Sequence, residues 1–126
     1  MLVLDTHTAL WWTLEPARLG RKVAARLARE DAIGIPTIVF WEAALLVRKG
    51  RLELDMTVTE WAQKVSAVPR VVALQLSTEI ALLADALEMH PDPADRFIAA
   101  TAITHRALLA TKDSLLGQLS FLRTVW

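Results

Sequence analysis

His90-Pro91-Asp92-Pro93-Ala94-Asp95-Arg96-Phe97-Ile98-Ala99-Ala100-Thr101-Ala102-Ile103 is the stretch on which the reading of this chain turns. Pro93 suits the first position of a helix, Asp92 before it suits the N-cap, and the apolar residues that follow recur at helical spacing. A helix is therefore predicted to begin here. Asp95 falls in its first turn, where unpaired backbone N–H groups and the positive end of the helix dipole favour a carboxylate, so helix-start chemistry alone accounts for it. It acquires a second meaning only if other isolated acids converge on the same helix start.

Working back from that helix, Val71-Val72-Ala73-Leu74 reads as a strand after Pro69, and Ser77 caps a helix with Ile80, Leu83, Ala84 and Leu87 inward. Glu79, Asp85 and Glu88 lie on its polar face and read as solvated charge. Thr57 and Glu60 form a capping box that opens a helix with Val58, Trp61, Ala62 and Val65 on one side. Ala32 to Ile35 is a strand; Pro36-Thr37 closes it and opens a helix whose end is marked by Arg48, Lys49 and Gly50. Leu19 to Glu30 reads as a helix with Leu19, Val23 and Leu27 inward. Its outer face carries Arg18, Lys22, Arg26 and Arg29, with Arg21 nearby, a stripe that suits either solvent or a phosphate backbone. At the N-terminus, Met1-Leu2-Val3-Leu4 suits a strand buried on both faces, and Thr8 to Trp12 a short helix broken by Glu15-Pro16.

Past the opening helix, Ala107 to Thr111 is a fourth strand, Ser114 to Gly117 one helical turn, and Ser120 to Arg123 a fifth, edge strand. Strands alternating with helices predict an α/β fold: a parallel sheet of about five short strands, right-handed crossovers and helices on both faces. With no internal repeat, low-complexity segment or linker, residues 1–126 are expected to form one domain.

Four acids stand apart from the polar helical faces. Asp5 and Asp113 lie just past strand ends, at the carboxyl edge where open α/β sheets bind ligands, and each doubles as a cap for the helix that follows. Glu42 interrupts a helix that is otherwise almost wholly apolar, from Ile38 to Val47. A buried, unpaired carboxylate costs several kcal/mol, and no basic residue lies one turn away, so Glu42 needs a partner from elsewhere or a solvent-facing gap. Together with Asp95, these acids are able to meet at one sheet edge. Like charges about 4 Å apart repel by roughly 4 kcal/mol at an effective dielectric of about 20, so such a cluster calls for a cation. Hard oxygen ligands without thiolates or clustered histidines point to Mg²⁺ or Mn²⁺, ions that activate water and stabilise a leaving oxygen in phosphodiester hydrolysis.

Composition narrows the rest. The hydrophobic content of 54% excludes intrinsic disorder, and the mean hydropathy of +0.35 suggests apolar surface kept for a second copy or a protein partner. Cysteine is absent, which removes disulfides, thiolate sites and cysteine nucleophiles. No apolar run reaches membrane-spanning length and no leader pattern precedes the first strand, so a cytoplasmic protein is expected. The formal charge is +0, so a nucleic acid has to be held by a local patch or a metal. His7, His90 and His105 show no ligand spacing and read as local hydrogen-bonding groups. The four glycines are too scattered to cradle a phosphate, and neither a nucleophile elbow nor H-E-x-x-H occurs.

Leu4-Asp5-Thr6-His7, Glu42 in its apolar helix, Asp92 to Ala102 and Thr111-Lys112-Asp113, in this order across essentially the whole chain, resemble a PIN domain of the VapC toxin type. The resemblance implies a three-layer α/β/α sandwich, a Mg²⁺- or Mn²⁺-dependent ribonuclease, homodimerisation, and neutralisation by a cognate VapB-like antitoxin. Carried over position by position, the metal-binding and catalytic acids are Asp5, Glu42, Asp95 and Asp113. Thr6 and Asp92 are supporting residues, Asp92 also being an N-cap. Thr111 matches a small hydroxyl residue near the metal's water shell, against simple strand-end packing. Arg96 suits a scissile phosphate, an antitoxin acid or a surface ion pair. Some relatives carry a further acid after the fourth; Ser114, Leu115, Leu116 and Gly117 offer none, which leaves a second metal without that ligand. Two rival readings are another Mg²⁺-dependent phosphohydrolase, disfavoured because Asp5-Thr6-His7 lacks a second acid, and a non-catalytic interaction module whose acids are only caps.

Overall fold

The computed structural model describes residues 1–126. Five short strands, β1 (Leu2–Leu4), β2 (Ile33–Pro36), β3 (Val71–Leu74), β4 (Leu108–Ala110) and β5 (Thr124–Val125), form one sheet in the order β3-β2-β1-β4-β5. Every pairing is parallel, with Leu2 opposite both Ile33 and Leu108. β1 is buried throughout, as its uninterrupted apolar run requires in a sheet covered on both faces. Seven helices flank the sheet as the outer layers of an α/β/α sandwich: α1 (Thr6–Leu14), α2 (Arg21–Leu27), α3 (Thr37–Arg48), α4 (Val58–Ser66), α5 (Thr78–Ala86), α6 (Pro93–Thr104) and α7 (Ser114–Gly117). No helix is long and apolar enough to cross a membrane.

Most expected boundaries hold, because their signals are local. Thr57 and Glu60 close the reciprocal capping box of α4, Ser77 caps α5, and Asp92 caps α6 with Pro93 at its first position. Gly50 takes φ +70 just past α3, the left-handed conformation that suits glycine after a helix end. Two expectations need correction. The helix predicted from Leu19 to Glu30 is shorter: Pro16–Arg18 forms a separate 3-10 turn, Leu19 is extended, and α2 spans Arg21–Leu27. The fifth strand lies not at Ser120–Arg123 but at Thr124–Val125. Leu122 turns back to hydrogen-bond Leu119 and buries itself in the core, so pairing with β4 starts only at the Arg123 carbonyl.

The layers are joined by a few specific contacts. Trp61 is buried, and its indole N–H donates to the Thr13 hydroxyl at 2.9 Å, which fixes α4 against α1. Arg96 clamps α5 to α6: its guanidinium donates to the carbonyls of Ala84, Asp85, Leu87 and Met89 at 2.7 to 3.3 Å. Ala84 and Asp85 lie in the last turn of α5, and Leu87 and Met89 in the segment that follows it, so the cation sits at the negative end of the helix dipole.

A candidate acidic metal centre at the sheet's switch point

From β1 the chain runs outward to β2 and β3, then returns to the other side of β1 for β4 and β5. The crevice at the carboxyl ends of β1 and β4 is therefore the topological switch point, where α/β sheets place their ligands. Asp5 follows β1 directly, and Thr111 to Asp113 follow β4. The two strand ends are tied together: the Asp5 N–H donates to the Ala110 carbonyl at 3.2 Å, and the Thr8 hydroxyl donates to the same carbonyl at 3.0 Å.

Three of the acids are oriented by capping. One oxygen of Asp5 accepts the Thr8 N–H at 2.8 Å, one of Asp113 accepts the Leu116 N–H at 2.9 Å, and one of Asp92 accepts the Asp95 N–H at 3.0 Å. The backbone thus fixes each carboxylate while its second oxygen stays outside the cap. Asp92 is exposed, and capping is its observed contact. Thr111 is buried, accepts the Asp113 N–H at 3.0 Å and lies beside the Asp5 carboxylate, so it links the first acid to the fourth.

The charges at this edge act on one another. Asp5 is only 7% exposed, and burial raises its pKa against the opposing pull of Thr111, Thr8 and His7. Burial likewise raises Glu42, the Thr6 hydroxyl partly offsets this, and the charges of Asp95 and Asp92 push it further up. Asp95 is raised first by burial and then by Asp92 and Asp113, with His90 opposing. Glu42, Asp92, Asp95 and Asp113 therefore share one field, with Asp5 at the floor beside Thr111. Glu42 makes no ion pair, so the partner its apolar helix calls for is not a side-chain cation.

Two features depart from expectation. Arg96 faces neither a phosphate site nor an acid, because its guanidinium is taken up by the carbonyls that end α5. The basic stripe expected along Arg18, Lys22, Arg26 and Arg29 also divides: Arg26 pairs with Glu30 at 3.1 Å, whereas Arg18 stands over the Trp11 ring. His90, expected to be a local hydrogen-bonding group, is one: its Nε2 lies 2.8 Å from Asp95 Oδ2, a partner that the sequence did not name. Its local signal is the turn His90-Pro91-Asp92-Pro93, which folds back so that a histidine five residues before Asp95 reaches it.

A hard divalent cation fits the donor set, which is carboxylate and hydroxyl oxygen without sulfur. Burial raises the pKa of three of its carboxylates with no lysine or arginine paired to them, and the buried Thr6 hydroxyl lies next to Glu42. No three acidic or imidazole side chains enclose a common point as a preformed cage. Mg²⁺ does not need one, because it keeps several waters and takes one or two carboxylates directly.

The sequence profile of the PIN domain family matches residues 2–122. Ribonuclease VapC22 of Mycobacterium tuberculosis is 35% identical over 127 residues, covering 99% of this chain and 98% of that protein. Among solved structures, VapBC2 from Rickettsia felis bound to a promoter DNA fragment superposes with a TM-score of 0.72 at 18% identity, covering 98% of this chain and 96% of the other. A toxin-antitoxin complex from Klebsiella pneumoniae gives 0.68 at 20% identity, over 100% and 97% of the two chains. FitAcB from Neisseria gonorrhoeae gives 0.67 at 18%, again over 100% and 97%. These likenesses span the whole fold.

Proposed function

The chain belongs to the PIN domain family, and from that premise we propose that it is a Mg²⁺- or Mn²⁺-dependent endoribonuclease, the toxin of a toxin-antitoxin pair restrained by a VapB-like antitoxin. One observation carries the reading: acids from four distant segments face the switch point, burial raises the pKa of three of them, and no lysine or arginine pairs with any of these three. Carboxylates alone would repel a phosphodiester, so the edge makes chemical sense around a divalent ion.

When bound, such an ion lowers the pKa of water and neutralises charge on the scissile phosphate. Asp5, Glu42, Asp95 and Asp113 are the residues that would hold it. Asp5 supplies the most desolvated carboxylate, turned by its cap and steadied by Thr111. Thr6 stands next to Glu42 with its hydroxyl buried, and Asp92 keeps the first turn of α6, and with it Asp95, in place. Glu42 and Asp95 would hold the ion as deprotonated carboxylates, so its binding would oppose the rise in pKa that burial gives both groups. The residues 1–126 act as one domain in this reading. Exposed apolar side chains, Trp41 and Leu82 among them, suit a homodimer and a protein partner.

The test is RNA cleavage by the purified protein. Cleavage is expected with Mg²⁺ or Mn²⁺ and not in excess EDTA, and Asp5→Asn, which retains a good N-cap, is expected to lose roughly a hundredfold or more. Equal cleavage by both proteins, or cleavage that persists in EDTA, rejects the assignment.

A further inference from the structure

Beside the acids stands a group of side chains that this chemistry leaves unused. The Arg18 guanidinium lies 4.6 Å from the centroid of the Trp11 ring, and the Lys112 ammonium 5.7 Å from it. The His7 ring is 5.6 Å from Trp11, and Trp126 meets Trp11 edge-on at 5.5 Å. His7 follows Asp5 by two residues and its charge acts on both Asp5 and Glu42, while Lys112 sits between Thr111 and Asp113. Trp11 is thus one ring removed from the acidic edge, and the cations gathered on it border that edge.

Both cations are exposed and weakly engaged. Lys112 forms no ion pair, and Arg18 meets only Glu15 at 3.7 Å with both side chains more than half exposed. An aromatic face attracts a cation without neutralising it, so each remains available to a phosphate. The protein has no net charge with which to draw a polyanion, and its acids repel one. The groove of about 390 Å³ next to Trp11 is mixed in charge, lined by Arg18 and Arg51 together with Glu15, Glu53 and Asp55.

Resting on the ribonuclease reading, we propose that Arg18 and Lys112 form a backbone subsite for single-stranded RNA, gripping phosphates that flank the scissile one, and that Trp11 holds both cations in position. Phosphate contacts of this kind set register and affinity without reading sequence.

Binding of a short fluorescent RNA to the full-length protein in EDTA tests this apart from cleavage. Combined Arg18→Gln and Lys112→Gln should weaken binding about tenfold and reduce the slope of log affinity against log salt by about 1.4, two phosphates at about 0.7 each. Lys22→Gln, exposed on α2 and outside the cluster, should bind as wild type. Trp11→Leu should lose affinity with both cations retained, and Trp11→Phe should keep it; should Trp11→Leu fail to fold, the double charge variant still decides. Wild-type affinity and slope in the double variant, or an equal loss in Lys22→Gln, overturns the subsite while leaving metal-dependent cleavage intact. A wild-type protein that shows this binding pattern but cleaves nothing with Mg²⁺ overturns the ribonuclease reading instead.

Discussion

Asp5 has two duties that compete for one side chain. One oxygen caps α1 through Thr8, and the group as a whole is buried where its charge is poorly solvated. A capping residue needs no such burial, as the exposed Asp92 shows. The same distinction applies to His90, which is tied to Asp95 by a 2.8 Å bond with both side chains about one-fifth exposed. Partners behind ligand carboxylates orient them, and their loss typically costs 10- to 100-fold in metal affinity. His90→Ala is therefore expected to weaken Mn²⁺ binding, measured by calorimetry, by roughly tenfold or more while the fold survives. Unchanged affinity would make His90 a bystander. Asp5, Asp95 and Asp113 were legible as isolated acids at element starts, because caps and strand ends are local signals. For His90 a local hydrogen bond was legible but its partner was not, since that depends on how the Pro91-to-Pro93 turn folds back.

At the scale of elements, capping chemistry transferred well from sequence to structure. Thr57 with Glu60, Ser77 and Asp92 each bond the backbone three residues on, so their helices begin where the residue pattern says. The fifth strand was displaced because Leu122 was claimed by the core, a non-local demand that no alternation pattern reveals. Arg96 shows the same limit. Its neighbour Asp95 suggested a role in the site, yet its four carbonyl partners lie 7 to 12 residues back. Arg96→Met keeps the aliphatic stem but strips those carbonyls of their donors. It should destabilise the protein by roughly 2–3 kcal/mol in urea unfolding, with Mg²⁺ affinity little changed. A loss below about 0.5 kcal/mol would mean that solvent satisfies the end of α5 equally well.

Across the whole molecule, the order β3-β2-β1-β4-β5 sets Asp5 and Asp113 at adjacent strand ends, and the charge of Asp113 reaches Asp95 as that of Asp95 reaches Glu42. The alternation of strands and helices predicted a parallel sheet; the crossing of the chain from β3 back to β4 fixes where its switch point falls. The consequence is electrostatic. Asp5, Glu42 and Asp95 have folded-state pKa values above those of the unfolded chain, so folding favours their protonated forms. Their contribution to stability is fully present below the ordinary carboxylate pKa and is lost as pH rises through the raised values. With EDTA present, thermal stability is expected to fall over that range upward. Mg²⁺ should restore it, with a gain that grows with pH because the ion binds the deprotonated groups. A metal-induced gain that is independent of pH would place the ion elsewhere.

The account stands on a divalent ion held by carboxylates that sequence distance separates and the sheet reunites. Anomalous diffraction from crystals grown with Mn²⁺ addresses this directly. The predicted result is a peak at the carboxyl edge between β1 and β4, within bonding reach of Asp5 and at least one of Glu42, Asp95 and Asp113, absent in Asp5→Asn. A peak away from these carboxylates, or none at saturating Mn²⁺, would contradict it.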